Sequence, residues 1–222
     1  MLMRVFSPIS RVALGVCLVT AAAFVGSIGF MPYPGAFVLK VIPILALMVV
    51  VAQQLSGSQR KLVLAALLFS GVGDVTLERD IFLLGLGAFL LAQLIYAGLF
   101  FRNRHSNAVA WVRAVLVVLM MLVLSANIWP HAGDLQLPVA CYMMAIGMMG
   151  LAAAFHAPPS FMILAGAISF IISDSLIGFN RFVQPFDGAR EAIMVMYYLA
   201  QILLVCGIVR FTAVSRAGNS GV

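Results

Sequence analysis

FMILAGAISFIISDSLIGF, residues Phe161 to Phe179, is an apolar run of membrane-spanning length with one carboxylate, Asp174, well inside it. A helix crosses the hydrocarbon of a bilayer with about 20 apolar residues. An Asp placed there costs about 2.5 kcal/mol or more and is seldom kept without a task. Asp174 is therefore a functional-site residue by default. A second residue of the same kind follows from the same reading: Asp74 lies near the end of Leu62–Leu77, LVLAALLFSGVGDVTL, behind Gly73 where Asp174 follows Ser173.

Working outward, 64% of the residues are hydrophobic and 9% charged. Such a chain cannot present a water-soluble surface and uses lipid as its solvent. The expected fold is all-α, a polytopic membrane protein forming one helical domain over residues 1–222. Its eight transmembrane segments fall at about 12–30, 36–52, 62–77, 82–101, 111–128, 137–155, 161–179 and 192–209. Loops are short, no soluble domain is expected, and the ends, Met1–Arg11 and Thr212–Val222, read as disordered or surface-bound.

The first segment, preceded by Arg4 and Arg11, could be a cleaved signal. Its apolar run continues through Phe30 without a polar cleavage region, which reads as a retained helix. Lys and Arg then divide as nine on one side (Arg4, Arg11, Arg60, Lys61, Arg102, Arg104, Arg113, Arg210, Arg216) and four on the other (Lys40, Arg79, Arg181, Arg190). The positive-inside rule puts both termini in the cytoplasm. The net charge of +6 reads as topology and contact with membrane lipids, and no basic stripe with interleaved aromatics suggests nucleic acid. Compact loops suit a bacterial inner (cell) membrane. The sequence sets no oligomeric state.

In this orientation the third and seventh segments both run outward, and Asp74 and Asp174 share the outer half of the bilayer. Lys40, Tyr142, Arg181, Tyr197 and Tyr198 fall in that half as well, as for a polar pocket open to the outer leaflet. Gln93, Tyr96 and Gln201 are expected in the inner half. Phe89-Leu-Leu-Ala-Gln93-Leu in the fourth segment matches Tyr197-Tyr-Leu-Ala-Gln201-Ile in the eighth at an offset of 108, and the two Asp residues are offset by 100. Two four-helix halves related by an axis along the membrane normal would give this pattern and would place a site at their junction. Chance similarity of apolar segments would give it too.

The pattern Lys40-x-x-Pro43, Phe69-Ser70-x-x-Gly73-Asp74-x-x-Leu77, Phe82-x-x-Gly85-x-x-x-Phe89, Tyr96, Ser173-Asp174 and Tyr198-x-x-Gln201 resembles the YhhN family of membrane proteins. Characterised animal members of that family are lysoplasmalogenases. The resemblance implies an eight-helix hydrolase that cleaves the vinyl ether bond of lysoplasmalogens to a fatty aldehyde and a glycerophospho-base, with its two aspartates at Asp74 and Asp174. One departure is Gln93, where the family leads us to expect His.

The residues suit that chemistry. A vinyl ether is hydrolysed by protonating the alkene carbon and capturing the resulting oxocarbenium ion with water, and an Asp pair held at different protonation states supplies acid and anion. Asp174 has the longer apolar frame and reads as the acid, although the reverse assignment leaves the scheme intact. Lys40 and Arg181 could meet a phosphate. Tyr142, Tyr197, Tyr198 and Gln201 could hold the glycerol hydroxyl or the water, or serve as interfacial and interhelical packing. Gly71, Gly73, Gly85 and Gly87 read as helix-packing positions. Met143, Met144, Met148 and Met149 read either as an acyl-chain tunnel or as lipid-facing filler. No metal or other cofactor is expected, because His105, His131 and His156 make no ligand spacing, and Cys17, Cys141 and Cys206 lie in separate segments as packing residues. The alternative function is a small proton-coupled transporter using the same Asp pair. An intramembrane aspartyl protease fits less well, since only Gly71-Val-Gly73-Asp74 has its form.

Overall fold

The computed structural model describes residues 5–158 and 161–219. Among them are eight α-helices: α1 (Pro8–Ser27), α2 (Ala36–Gln54), α3 (Gly57–Glu78), α4 (Phe82–Phe101), α5 (Ala108–Ile128), α6 (Gln136–Ala154), α7 (Phe161–Gly178) and α8 (Ala189–Asn219). No strand forms among the described residues, where a lone β-bridge joins Arg104 to His156. Local signals set several boundaries. The Ser7 side chain accepts from the Ser10 backbone N–H at 3.2 Å and Pro8 opens α1, and Asn107 accepts from Ala110 N–H at 2.8 Å ahead of α5. Both are side-chain caps on helix N–H groups that lack a partner within the helix.

Seven helical spans are long and apolar enough to cross a membrane. The exception is α3, whose 22 residues include Arg60, Lys61, Asp74 and Glu78. Consistent with an integral membrane protein, large apolar side chains face outward, Val12 at 69% exposure and Leu116 at 61%. The interior is apolar as well, with Phe24, Tyr96, Phe100 and Phe170 fully enclosed. Helix α1 belongs to this core. Its Cys17 and Phe24 are buried, and Phe24 meets the edge of Tyr198 with ring centroids 6.2 Å apart.

Each helix packs on its sequence neighbour within α1–α4 and within α5–α8, and α4 crosses to α6 while α8 crosses to α2. Small residues allow the closest approaches. A Cβ on Gly166 would lie 3.0 Å from the backbone N of Leu204, and one on Gly207 would lie 3.0 Å from that of Ile163, so α7 and α8 touch nearly backbone to backbone. Gly73 gives way to the Phe89 ring in the same manner, at 2.5 Å, and Gly85 to Leu77, at 2.7 Å. The expectation for Gly71 and Gly87 does not hold: a Cβ on Gly71 would meet only Ile44, at 3.9 Å, and one on Gly87 would meet nothing within 4 Å.

Two boundaries differ from the sequence reading. The helices reach into the terminal stretches, because α1 begins at Pro8 and α8 runs on to Asn219. Arg216 and Thr212 hold that extension by donating to Ser56 Oγ at 2.8 Å and Gln59 Oε1 at 3.1 Å. Residues 1–4 and 220–222, Arg4 among them, lie outside the described residues. The seventh segment also continues past Phe179 through a π-helical turn, Phe179–Val183, which carries Arg181 on the helix end and leaves Asp174 nine residues from that end.

Candidate active site

At the end of the bundle where α3 and α7 finish and α2, α4 and α8 begin, a polar cavity of about 380 Å³ is lined by Lys40, Asp74, Glu78, Asp80, Phe89, Ser173, Asp174, Asn180, Arg181, Arg190 and Tyr197, among others. Both aspartates therefore face one space. Asp74 is 2% exposed. Its Oδ2 accepts from the Tyr197 hydroxyl at 2.7 Å, and its Oδ1 lies 3.8 Å from Lys40 Nζ. Lys40, itself buried, also donates to the Asp74 carbonyl at 3.2 Å and to Glu78 Oε2 at 3.3 Å. Glu78 in turn holds Arg190 through Oε1, closing a line of charge from Asp74 to the rim.

Asp174 has a different shell. Its Oδ2 accepts from Gln93 Nε2 at 2.8 Å and from the Tyr142 hydroxyl, and Gln93 Nε2 also donates to the Tyr142 oxygen at 2.7 Å. Among the described residues no Lys or Arg lies within ion-pair distance of Asp174. Because both donors converge on Oδ2, Oδ1 is left for whatever enters the cavity. Gln93 Oε1 is buried with no hydrogen-bond partner among the described residues. An unpaired buried acceptor costs about 1–3 kcal/mol.

The two shells correspond. Each carboxylate takes one group from the helix before it, Lys40 of α2 for Asp74 and Tyr142 of α6 for Asp174. Each takes a second from the last helix of the other half, Tyr197 of α8 and Gln93 of α4 respectively. Between them Phe89, Phe170 and Tyr197 form an edge-to-face cluster, with centroids 5.7–6.2 Å apart. Phe89 and Asp174 also line a second, apolar cleft of about 40 Å³ shared with Phe82, Tyr142, Met143, Ile146 and Phe182. Asp174 thus stands where a polar space meets an apolar one.

The other residues singled out in the sequence fall in two groups. Arg181 reaches the polar cavity, its guanidinium 4.0 Å from the centre of the Phe82 ring, a cation–π contact. Tyr198 and Gln201 stand behind the cavity. The Tyr198 hydroxyl donates to the Lys40 carbonyl at 2.9 Å, one turn ahead of Pro43, and Gln201 links Ser70 at 2.9 Å to Tyr96 at 3.2 Å. Gln93, expected in the inner half and apart from the carboxylates, donates to Asp174. Glu78, Asn180 and Arg190 were missed as cavity residues. Charged residues at segment ends read as topology, and only the folded arrangement, in which side chains of α3 and α8 reach each other, brings Glu78 and Arg190 together.

The mycobacterial protein "Lysoplasmalogenase" (Mycobacterium tuberculosis, strain CDC 1551 / Oshkosh) is 35% identical to this chain over 161 residues, 68% of this chain and 61% of that protein. "Lysoplasmalogenase TMEM86B" of Sus scrofa is 33% identical over 176 residues, 77% of this chain and 73% of its own, and the Homo sapiens protein of that name is 32% identical over 163, covering 70% and 66%. The chain thus spans about three fifths of the length of the mycobacterial relative. No solved structure matches it. The YhhN family pattern matches residues 35–208, a range that takes in both aspartates and every cavity residue named above, and the chain belongs to the YhhN family.

Proposed function

We propose that this chain is a hydrolase of lysoplasmalogens, cleaving the vinyl ether bond to a fatty aldehyde and a glycerophospho-base, with Asp174 as general acid and Asp74 as the anion. The carrying observation is the contrast between two buried carboxylates on one cavity: Asp74 has Lys40 beside it, whereas Asp174 is held by neutral donors alone. A carboxylate with a cation at hand stays ionised, and one in an apolar frame without a counter-ion keeps its proton. Asp174 delivers that proton from Oδ1 to the alkene carbon remote from the ether oxygen. The adjacent carbon becomes an oxocarbenium centre, stabilised by the Asp74 anion. Water adds to that carbon and gives a proton to Asp74. The hemiacetal then collapses: Asp174 takes back a proton from its hydroxyl, which becomes the aldehyde carbonyl, while Asp74 gives its proton to the ether oxygen, which leaves as the glycerol hydroxyl, and both carboxyl groups return to their starting states.

Support for substrate placement comes from the rim, where Arg181 and Arg190 suit a phosphate. Tyr142 and Tyr197 position the two carboxylates, while Tyr198 and Gln201 hold α2, α3 and α4 in register from behind. The membrane arrangement we infer has eight crossings, with α3 as the eighth. Its buried Asp74 and its packing between α2 and α4 support that reading. Two four-helix halves meet at the cavity, supported by the corresponding shells of the two aspartates. Both termini are then cytoplasmic in a bacterial inner membrane, with the cavity at the outer leaflet.

The test is aldehyde release by purified protein in detergent from a vinyl-ether lysophospholipid, its alkyl-ether twin and its ester twin. The proposal expects turnover of the vinyl ether alone, reduced about 100-fold or more in Asp174→Asn and Asp74→Asn. Folded wild type that turns over none of the three would sink the reading.

A further inference from the structure

The apolar cleft at Asp174 is far too small for its expected guest. About 40 Å³ is room for a few waters, not for a long hydrocarbon chain. Beside it runs a second apolar space of about 850 Å³, a groove between α4, α5 and α6. Its lining extends along α6 from Ala140 to Leu151, a run of about 16 Å at the helical rise. Met143 lines both spaces. The groove begins beside Trp129 and Ala140, at the same end of the bundle as the polar cavity, and descends to Val117 and Leu151. Cleft and groove are therefore neighbours separated by one half-buried thioether side chain, which has three rotatable bonds and adapts its shape readily.

We propose that the groove between α4, α5 and α6 is the seat of the substrate's alkenyl chain, that Met143 is the gate through which the chain passes from the groove to Asp174, and that the fatty aldehyde leaves by the same lateral route into the bilayer. This rests on the vinyl-ether reading above. The occupant follows from the layout. A lysolipid with its head group among Arg181, Arg190 and Lys40 has its first chain carbons at Asp174, and the remaining carbons must leave the cleft. Met143 marks the shared wall with a groove that is apolar along its length and faces the membrane. The Met-rich run of α6 accordingly divides: Met143, Met144 and Met148 line the groove, while Met149 is wholly buried in the core.

Two measurements test this, one independent of turnover. The first uses Cys141, which is exposed and lines the groove, whereas Cys17 and Cys206 are buried. Labelling of Cys141 by N-ethylmaleimide, followed by intact mass, is measured with a hexadecyl alkyl-ether lysophospholipid, with its butyl twin, and in Met143→Trp. The expected result is labelling slowed about fivefold or more by the hexadecyl lipid, little slowed by the butyl lipid, and no longer protected once Trp fills the gate. Equal protection in wild type and Met143→Trp would mean ordinary boundary lipid on the groove and would overturn the proposal, as would no protection at all. The second compares kcat/KM for hexadecenyl and butenyl lysoplasmalogens. Gly147→Phe, where an added Cβ has no neighbour nearer than Met121 at 3.7 Å, should lower the long-to-short ratio about tenfold by filling the groove. An unchanged ratio overturns the gate and groove while leaving the hydrolase standing. Gate-dependent protection in a protein that hydrolyses nothing would instead keep the lipid seat and discard the reaction.

Discussion

Replacing Lys40 by Met removes the cation beside the buried Asp74 carboxylate. Lys40 is 7% exposed and its Nζ stands 3.8 Å from Asp74 Oδ1, 3.2 Å from the Asp74 carbonyl and 3.3 Å from Glu78 Oε2. Two unit charges about 4 Å apart attract by about 4 kcal/mol at an effective dielectric of 20, and breaking a buried pair from one side costs about 3–5 kcal/mol because the other charge is left behind. Lys40→Met should therefore destabilise the fold by about 3–4 kcal/mol. Asp74→Asn in the same background should recover about half of that or more, since the abandoned charge is then gone. The assay is unfolding in mixed micelles of increasing SDS content, followed by the fluorescence of Trp111 and Trp129, on the wild type, both single variants and the double. A coupling energy above about 1.5 kcal/mol is expected. Strictly additive single losses would refute the reasoning, for they would mean that Lys40 contributes packing alone and that Asp74 does not depend on its charge.

Other outcomes are read more directly. Tyr142→Phe and Gln93→Leu each remove one donor to Asp174, and each should lower kcat on a vinyl-ether lysophospholipid about tenfold or more while KM moves little. Gly166→Ala should cost about 1–3 kcal/mol in the same unfolding assay, because the new methyl meets the Leu204 backbone, whereas Gly87→Ala should be neutral or slightly stabilising. His156 lies beyond the end of α6, 4% exposed and packed edge-on against Phe100 and Phe211, and burial pushes its imidazole below the ordinary histidine range. The unfolded chain then binds the proton more readily than the folded one. Stability from this group is complete above about pH 6.5 and falls as pH drops through the folded value. His156→Phe should flatten that part of the pH–stability profile, and an unaltered profile would remove His156 as its source.

Much of the fold was legible in the sequence because lipid leaves few choices: apolar runs of sufficient length become helices, and short loops fold them back on one another. Asp74 and Asp174 stood out for the same reason, as charges where charge is costly. What could not be read was lateral and rotational placement. Gln93 looked like interhelical glue of the inner half, and only the packing of the bundle, in which α4 lies against α6, brings it to Asp174. Glu78 and Arg190 looked like end-of-segment charges, yet they close the line that starts at Asp74. Tyr197 and Tyr198 are adjacent in sequence and face different work, one on Asp74 and one on the Lys40 carbonyl, since neighbours on a helix point about 100° apart. The helical character of α3 was plain, but its four charged residues keep it below the apolar profile of the other seven spans.

The polar cavity sets Lys40, Arg181 and Arg190 against Asp74, Glu78 and Asp80. If Asp174 holds its proton, as the proposed mechanism requires, the vestibule is electrically balanced. A zwitterionic lysolipid, the substrate proposed above, would bring no net charge to it either, so neither partner would pull the other from a distance. On that proposal arrival would depend on two-dimensional diffusion within the leaflet, and the polar groups would act as a short-range mould that sorts phosphate toward the arginines only after contact. A site of this kind gains little from low ionic strength and loses little in high salt. Its traffic would be governed by how fast lipids exchange along the flank of the bundle.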